Sequence, residues 1–102
     1  MSKNTLNILV VSASSLSLAR KIRDEYQFRT GIYCREADND IEPVTSFKEL
    51  TGNLFDKSET IVFIGAMGIC VRSIAPYIKS KYTDPAVICL DSTGKYVVSV
   101  LS

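Results

Sequence analysis

The stretch "ETIVFIGAMGICVRSIAPYIKSK", residues 59–81, decides the fold. A β-branched apolar run leads to two glycines, Gly65 and Gly68. The apolar residues from this loop onwards have helical spacing: Met67, Cys70, Val71, Ile74 and Ile78. This order is typical of a buried strand that turns directly into a helix, because glycine permits the tight backbone that such a turn needs. Pro76 is predicted to break or kink the helix, since its ring clashes with the preceding turn.

Strand patterns recur on both sides of this stretch. The run at 6–11 is apolar except for Asn7 and predicts a strand that is buried on both faces. The remaining strands are predicted at 30–36, 60–65, 86–91 and 96–102. The last two flank the turn sequence "STGK" and are expected to form a hairpin. The polar segment 37–43, "ADNDIEP", is predicted to be a loop.

Two more helices are predicted between these strands. The first follows a serine N-cap, Ser14 or Ser15. Its apolar face is formed by Leu18, Ala19, Ile22 and Tyr26. The second begins at a capping box, with Ser46 as the cap and Glu49 three residues on. Its inner face is formed by Phe47, Leu50 and Leu54.

Alternating strands and helices favour βαβ units around a parallel sheet. The predicted fold is a three-layer α/β domain that spans residues 1–102. Its sheet is mostly parallel, Rossmann- or flavodoxin-like, and has about five strands with a C-terminal antiparallel hairpin. The chain ends within the last strand pattern, so we expect it to be a fragment of a longer protein.

Composition limits the possible functions. The net charge is +1, which disfavours an electrostatic nucleic-acid interface, and no apolar run is long enough to span a membrane. Histidine is absent, which excludes Ser/His and Cys/His nucleophile pairs. Cys34, Cys70 and Cys89 lie in separate apolar runs without a C-x-x-C motif. They are therefore expected to be buried, reduced thiols of a cytoplasmic protein, not metal ligands.

The glycine loop is the main candidate site. The first amides of the helix, near Gly68 to Cys70, point outward, and the helix dipole adds about half a positive charge there. Arg72, four residues after Gly68, is expected to project back towards the helix N-terminus, where it could pair with a bound anion. The loop is neither a P-loop nor a G-x-G-x-x-G motif. A tight turn without a ligand explains the glycines equally well.

Other polar groups are expected at the same sheet edge. Ligands of open α/β sheets bind outside the carboxyl ends of the strands. The loop "SASS", residues 12–15, and Asp91 follow two predicted strands and would meet the glycine loop there. The serine hydroxyls could contact a ligand or only cap the following helix.

The C-terminal forty residues carry a specific resemblance. The motifs are "GAMGICVRSIAP", "KYTDPAV" and the hairpin "DSTGKYVVSVLS", all within residues 63–102. They resemble the N-terminal region of the cobalamin biosynthesis CbiG family, the cobalt-precorrin-5A hydrolases. Residues 1–62 resemble that family only in their order of strands and helices.

The resemblance implies a function. These enzymes open a δ-lactone on the corrin ring and release acetaldehyde, and their substrate is a cobalt macrocycle that carries several carboxylates. The implied substrate-binding residues are Gly65, Ala66, Met67, Gly68, Arg72 and Asp91. The catalytic residues are unknown. No cofactor is implied, because the cobalt belongs to the substrate.

Three charged residues lie further along the chain: Lys79 and Lys81 would add positive charge at the rim of the binding site, and Asp84 would cap a loop.

The resemblance also implies partners. The expected partners are the cobalt corrinoid, the remaining domains of the same protein and, through an open sheet edge, a second copy of the chain. Two alternatives stay open: a flavodoxin-like nucleotide-binding module, and a non-catalytic docking domain, for example of a fused corrin methyltransferase.

Overall fold

The computed structural model describes residues 5–26, 29–36 and 41–101. Within these ranges lie six strands: β1 (Thr5–Val10), β2 (Arg29–Cys34), β3 (Glu42–Pro43), β4 (Thr60–Ile64), β5 (Ala86–Leu90) and β6 (Val97–Leu101). The α-helices there are α1 (Leu16–Glu25), α2 (Phe47–Phe55) and α3 (Met67–Ile74). Single turns of 3-10 helix precede α1 and follow α3.

All strands join one sheet in the order β3-β2-β1-β4-β5-β6. Every neighbouring pair is parallel except β5 and β6, which form the antiparallel C-terminal hairpin. The predicted fold class, a mostly parallel α/β sheet that ends in a hairpin, is confirmed. The order around β1 and β4 is of the Rossmann type, in which the winding direction reverses between these two central strands.

One strand was not predicted. The sequence placed a loop at 37–43, but Glu42 and Pro43 pair with Tyr33 and Cys34 at the edge of the sheet. The pairing extends through Val44, whose amide donates to the carbonyl of Cys34 at 2.9 Å. Proline is tolerated here because an edge strand needs hydrogen bonds on one side only. Residues 37–40 of the predicted loop lie outside the described ranges.

The sheet separates two apolar clusters, which confirms the three-layer arrangement. On one face α1 packs its buried Leu16 and Ala19 against Ile8 and Val10 of β1. On the other face α2 and α3 cover the sheet with Phe47, Leu54, Phe55, Cys70 and Ile74. Strands β1 and β4 are buried almost throughout, as the apolar run at 6–11 predicted.

The start and end of α1 differ from the prediction. Ser15 precedes the helix, but its hydroxyl makes no capping bond. Ser12 instead caps the 3-10 turn before α1, by accepting from the amide of Ser14 at 3.4 Å. Tyr26 was expected on the apolar face, yet it follows the last helical residue and is 51% exposed. The helical period cannot bring a residue beyond the helix end onto that face.

The predicted start of α2 and the predicted interruption of α3 near Pro76 are confirmed. The hydroxyl of Ser46 accepts from the amide of Glu49 at 3.2 Å and caps α2. Helix α3 ends at Ile74, and a 3-10 turn that contains Pro76 follows it. Of the apolar positions predicted for α3, Met67, Val71 and Ile78 remain exposed. In the described part of the chain, no helix combines the length and apolar character needed to cross a bilayer.

Candidate functional site

The winding direction reverses between β1 and β4, so the loops that follow these two strands meet at the carboxyl edge of the sheet. Helix α1 leaves β1 towards one face, and α3 leaves β4 towards the other. The two connecting loops are therefore neighbours, and the amide of Val11 donates to the carbonyl of Ile64 at 3.0 Å. In open α/β sheets, ligands bind at such a switch point. The structure thus places the predicted glycine loop and serine loop side by side at the switch point, and we call the space between them the crevice.

Gly65 makes the close approach of these loops possible. Its φ of 154° is rare for residues with a side chain. A Cβ at this position would lie 2.5 Å from Cγ2 of Val11, well inside van der Waals contact. Its amide donates to the carbonyl of Leu90 at 2.9 Å, and its carbonyl accepts from Sγ of Cys89. Gly65 therefore allows the glycine loop to pack against the residue that follows β1 and to form hydrogen bonds with β5.

The N-terminus of α3 opens towards solvent. The carbonyl of Ala66 accepts from the amides of Ile69 and Cys70 at 3.1 and 3.3 Å. The amides without a helical partner are consequently those of Met67 and Gly68, earlier in the chain than the sequence predicted. Residues 66–68 are exposed, and no side chain caps the helix among the described residues. These amides can thus donate to a bound anion.

Arg72 folds back along α3. Its Nη1 atom lies 3.6 Å from the position that a Cβ on Gly68 would take. The guanidinium group is therefore at the first turn, as the helical geometry predicted. A planar guanidinium can bind a carboxylate through two parallel hydrogen bonds. The charge of Arg72 therefore lies beside the positive end of the helix dipole.

The serine loop uses its hydroxyls for structure. Ser12 and Ser14 share a hydrogen bond of 3.0 Å between their Oγ atoms. Ser15 is buried and donates to the carbonyl of Ser92 at 2.9 Å. This bond ties the loop after β1 to the turn between β5 and β6. The serines therefore stabilise the crevice walls, and the contact with a ligand stays a prediction.

Asp91 organises the β5–β6 turn at the rim of the crevice. Its Oδ1 accepts from the amide of Tyr96 at 2.7 Å, and its Oδ2 accepts from the hydroxyl of Thr93. The hydroxyl of Thr93, followed by the amide of Tyr96, holds the pKa of this carboxyl below its usual value. Asp91 is consequently an ionised acceptor at neutral pH. Its role in binding substrate stays a prediction.

The cysteines show why the site has no thiol nucleophile among the described residues. Cys34, Cys70 and Cys89 are all free and buried. Burial raises the pKa of Cys70 to about 12, and the neighbouring Cys89 contributes further. Burial also raises the pKa of Cys89. A thiol that stays protonated at neutral pH is a poor nucleophile and a poor metal ligand. The described residues contain no cluster of three or more potential metal ligands.

Two lysines do not join the site. Lys79 and Lys81 were expected at its rim, but they follow the C-terminal end of α3, one helix length away from Gly68. Lys79 pairs there with Asp56 at 3.6 Å. Asp84 acts as the predicted loop cap: its Oδ2 accepts from the amides of Lys79 and Ser80 at 2.8 and 3.1 Å.

Two basic residues that the sequence analysis did not predict as site residues, Arg35 and Lys48, also lie near the crevice. Arg35 follows β2, and Lys48 lies in the first turn of α2. Together with Arg72 they line a cavity of about 280 Å³. The capping box at Ser46 predicted where α2 begins, but no sequence signal predicted that this helix end lies next to α3.

Comparison with known proteins identifies the family. Residues 49–102, just over half of the chain, match the family described as Cobalamin synthesis G N-terminal. The chain belongs to this family. The matched range contains the glycine loop, Arg72 and the β5–β6 hairpin, and thus confirms the resemblance found in the sequence.

Two curated relatives support the assignment to the cobalamin synthesis G family. The cobalt-precorrin-5A hydrolase of Salmonella typhimurium strain LT2 is 41% identical over 56 residues, which are 55% of this chain and 16% of that protein. The cobalt-precorrin-5A hydrolase of Priestia megaterium is 44% identical over 57 residues, which are 56% of this chain and 15% of that protein. The chain thus spans about a sixth of the length of these relatives.

A solved structure has the same fold. The crystal structure described as a cobalamin biosynthesis protein G homologue from Sulfolobus solfataricus superimposes with a TM-score of 0.74. The match covers 97% of this chain and 30% of that chain, at 23% identity. The fold therefore extends over the region before residue 49 as well, where the sequence motifs are weak.

Proposed function

We propose that this domain binds the carboxylated cobalt corrinoid on which a cobalt-precorrin-5A hydrolase acts. The observation that carries the proposal is the exposed N-terminus of α3 at the switch point, with Arg72 folded back over Gly68. Membership of the cobalamin synthesis G family indicates which class of anionic ligand this site would bind, namely a corrinoid with carboxylate side chains. The corrinoid intermediate carries carboxylates around an apolar ring, which matches a site of this charge.

Each residue of the crevice has a different role in the proposed binding of the ligand. Gly65 and Ala66 shape the loop so that the amides of Met67 and Gly68 face a carboxylate. Arg72 supplies the charge that pairs with it. Asp91 holds the β5–β6 turn at the rim, where its ionised carboxylate orients hydrogen-bond donors of the ligand. Met67, which is 36% exposed, offers an apolar contact to the ring beside these polar groups.

The opening of the corrin δ-lactone, with release of acetaldehyde, is proposed for the longer protein. The two hydrolases match this chain over 16% and 15% of their lengths, so the domain is proposed to act together with further domains. The three free, buried cysteines support a reducing, cytoplasmic location. The cobalt is part of the substrate in this proposal.

Removing the charge of Arg72 tests the binding site. Arg72→Gln is expected to weaken the affinity for a cobalt corrinoid with free side-chain carboxylates by about tenfold, because a charge-assisted hydrogen bond contributes roughly 1.5 kcal/mol. Isothermal titration calorimetry on the wild-type and variant chains measures this difference. Lys21→Gln, which removes an exposed charge on α1, is the matched control and should bind like the wild type.

The same titration distinguishes the proposed corrinoid-binding domain from a flavodoxin-like nucleotide-binding module. Unchanged corrinoid affinity in Arg72→Gln would contradict the role of Arg72, and no corrinoid binding by the wild type would contradict the proposal as a whole. A flavin nucleotide serves as the competing ligand. Tight flavin binding without corrinoid binding would support the flavodoxin-like alternative.

A specific observation also favours a docking function for strand β6. This strand is the outer edge of the sheet, and Val97 and Val98 are 61% and 47% exposed on its two faces. Residues 96–101 carry no charge and no proline, the features that usually protect an edge strand from pairing. We propose that β6 pairs with β6 of a second copy, so that the domain forms a homodimer through a continuous sheet.

Introducing a charge on this edge tests the dimer. Val98→Lys is expected to convert a dimer into a monomer, because a buried lysine without a partner would oppose strand pairing. Sedimentation velocity over a range of protein concentrations measures the change. Ser17→Lys adds the same charge at an exposed position of α1 and should leave the dimer intact. A wild-type chain that stays monomeric at high concentration would contradict the proposal.

A further inference from the structure

A basic cavity lies between the N-terminal ends of α2 and α3. It has a volume of about 280 Å³. Its lining residues are Arg35, Thr45, Ser46, Phe47, Lys48, Ile69, Arg72 and Ser73. Arg35 follows the carboxyl end of β2, so the cavity is at the same sheet edge as the switch-point crevice. It is on the α2–α3 side of that edge.

The charge of this cavity comes from three separate elements. Arg35 follows β2, Lys48 belongs to α2 and Arg72 belongs to α3, and no acidic residue is among the lining residues. The ion pairs found within the described ranges do not include any of these three cations. Like charges that line one cavity repel one another, so a bound anion would stabilise this arrangement.

Neutral donors face the same cavity. The hydroxyl of Ser46 accepts from the amide of Glu49, which leaves its proton free to donate. Phe47 and Lys48 are the first two residues of α2, so their amides have no helical acceptor. The ring of Phe47 lies 5.1 Å from the guanidinium carbon of Arg35 and holds this side chain over the helix start. The cavity therefore combines three cations with oriented backbone and hydroxyl donors.

We propose that this cavity binds an oxyanion, namely a second side-chain carboxylate of the ligand whose first carboxylate lies at the N-terminus of α3. Arg72 borders both places, so its guanidinium can bridge the two carboxylates. The identity of the ligand rests on the proposed corrinoid function, whereas the oxyanion chemistry rests on the cavity alone. The two contacts together would select a ligand with carboxylates at a fixed separation.

Two charge-neutralising variants test the cavity. Arg35→Gln and Lys48→Gln are each expected to weaken the affinity for a cobalt corrinoid with free carboxylates about three- to tenfold. The affinity of each variant should also depend less on salt concentration than the affinity of the wild type. The affinity for the fully amidated corrinoid should not change. Lys57→Gln, which removes an exposed charge beyond the other end of α2, is the matched control. All three substituted residues are exposed, and circular dichroism melting checks that the variants stay folded.

Small anions test the cavity independently of the corrinoid. Succinate, added to the ¹⁵N-labelled chain, should shift the amide signals of residues 45–48 in the wild type and should shift them less in Arg35→Gln. Inorganic phosphate is added in a parallel titration, since a phosphorylated ligand presents similar oxygens. Shifts with phosphate but not with succinate would overturn the carboxylate assignment.

The outcomes separate this inference from the proposed function. Suppose that both variants bind the corrinoid with wild-type affinity and that succinate shifts no amide signals at residues 45–48. This result would contradict oxyanion binding in the cavity, but it would not contradict carboxylate binding at the N-terminus of α3. If the corrinoid does not bind the wild-type chain at all, the proposed function fails. In that case, succinate shifts at residues 45–48 would still support the oxyanion cavity, and their absence would overturn it too.

Discussion

Replacing Gly65 by alanine is expected to lower the free energy of unfolding by about 3 kcal/mol, because two costs add at this position. The first cost is steric: the new Cβ would lie 2.5 Å from Cγ2 and 2.9 Å from Cβ of Val11. Val11 sits on the neighbouring loop, so relief requires the two walls of the crevice to separate. The second cost is conformational, since a φ of 154° is strained for alanine. Urea denaturation followed by circular dichroism measures the loss.

Gly68→Ala is the matched control for this prediction. A Cβ at Gly68 would meet only Nη1 of Arg72, at the ordinary contact distance of 3.6 Å. The position is helical, where alanine is favoured over glycine by up to about 1 kcal/mol. The control variant should therefore be as stable as the wild type or slightly more so. Equal stability of the two alanine variants would show that the close contact at Gly65 is not a constraint on the fold.

Truncating Phe63 to alanine is expected to cost about 3–5 kcal/mol of stability. Phe63 is 1% exposed in the middle of β4, where it belongs to the cluster beneath α2 and α3. Its removal leaves a cavity that the parallel strands on both sides cannot close. Since a domain of this size is stable by roughly 5–15 kcal/mol, the variant should unfold at a much lower urea concentration.

Val71→Ala is the matched control for the core. Val71 belongs to α3 and is 44% exposed, so its truncation removes few buried contacts. Its effect on the unfolding free energy should stay within about 0.5 kcal/mol. A loss at Phe63 no larger than the loss at Val71 would contradict the described core. The expected contrast would also show that Val71 is not part of the core.

Much of the fold follows from short-range rules that operate within one element. The nearly continuous apolar run at 6–11 predicts a strand that is buried on both faces, and β1 is such a strand. Ser46 predicts the beginning of α2 because a cap satisfies amides only a few residues away. Pro76 predicts the end of α3 because its ring acts on the preceding turn. The backward direction of Arg72 follows from helical geometry in the same way.

The wrong predictions have a common cause. Glu42 and Pro43 form a strand because an unpaired edge of β2 is beside them, which no local pattern can show. Met67 and Val71 follow the apolar period of α3 but remain exposed, because the sheet beneath this helix accommodates only its inner side. Lys79 and Lys81 lie beyond the C-terminal end of α3 and not at the predicted rim, because the helix carries the chain away from Gly68.

The sequence by itself determined the α/β class, the strand-turn-helix geometry of residues 60–74 and the family. Each of these depends on residues that are close along the chain. Only the tertiary structure decided the sheet order β3-β2-β1-β4-β5-β6, and with it the switch point between β1 and β4. It also brought together Arg35, Lys48 and Arg72 around one cavity. These contacts join residues from different elements, and their positions depend on how the strands pair and on which face each helix packs.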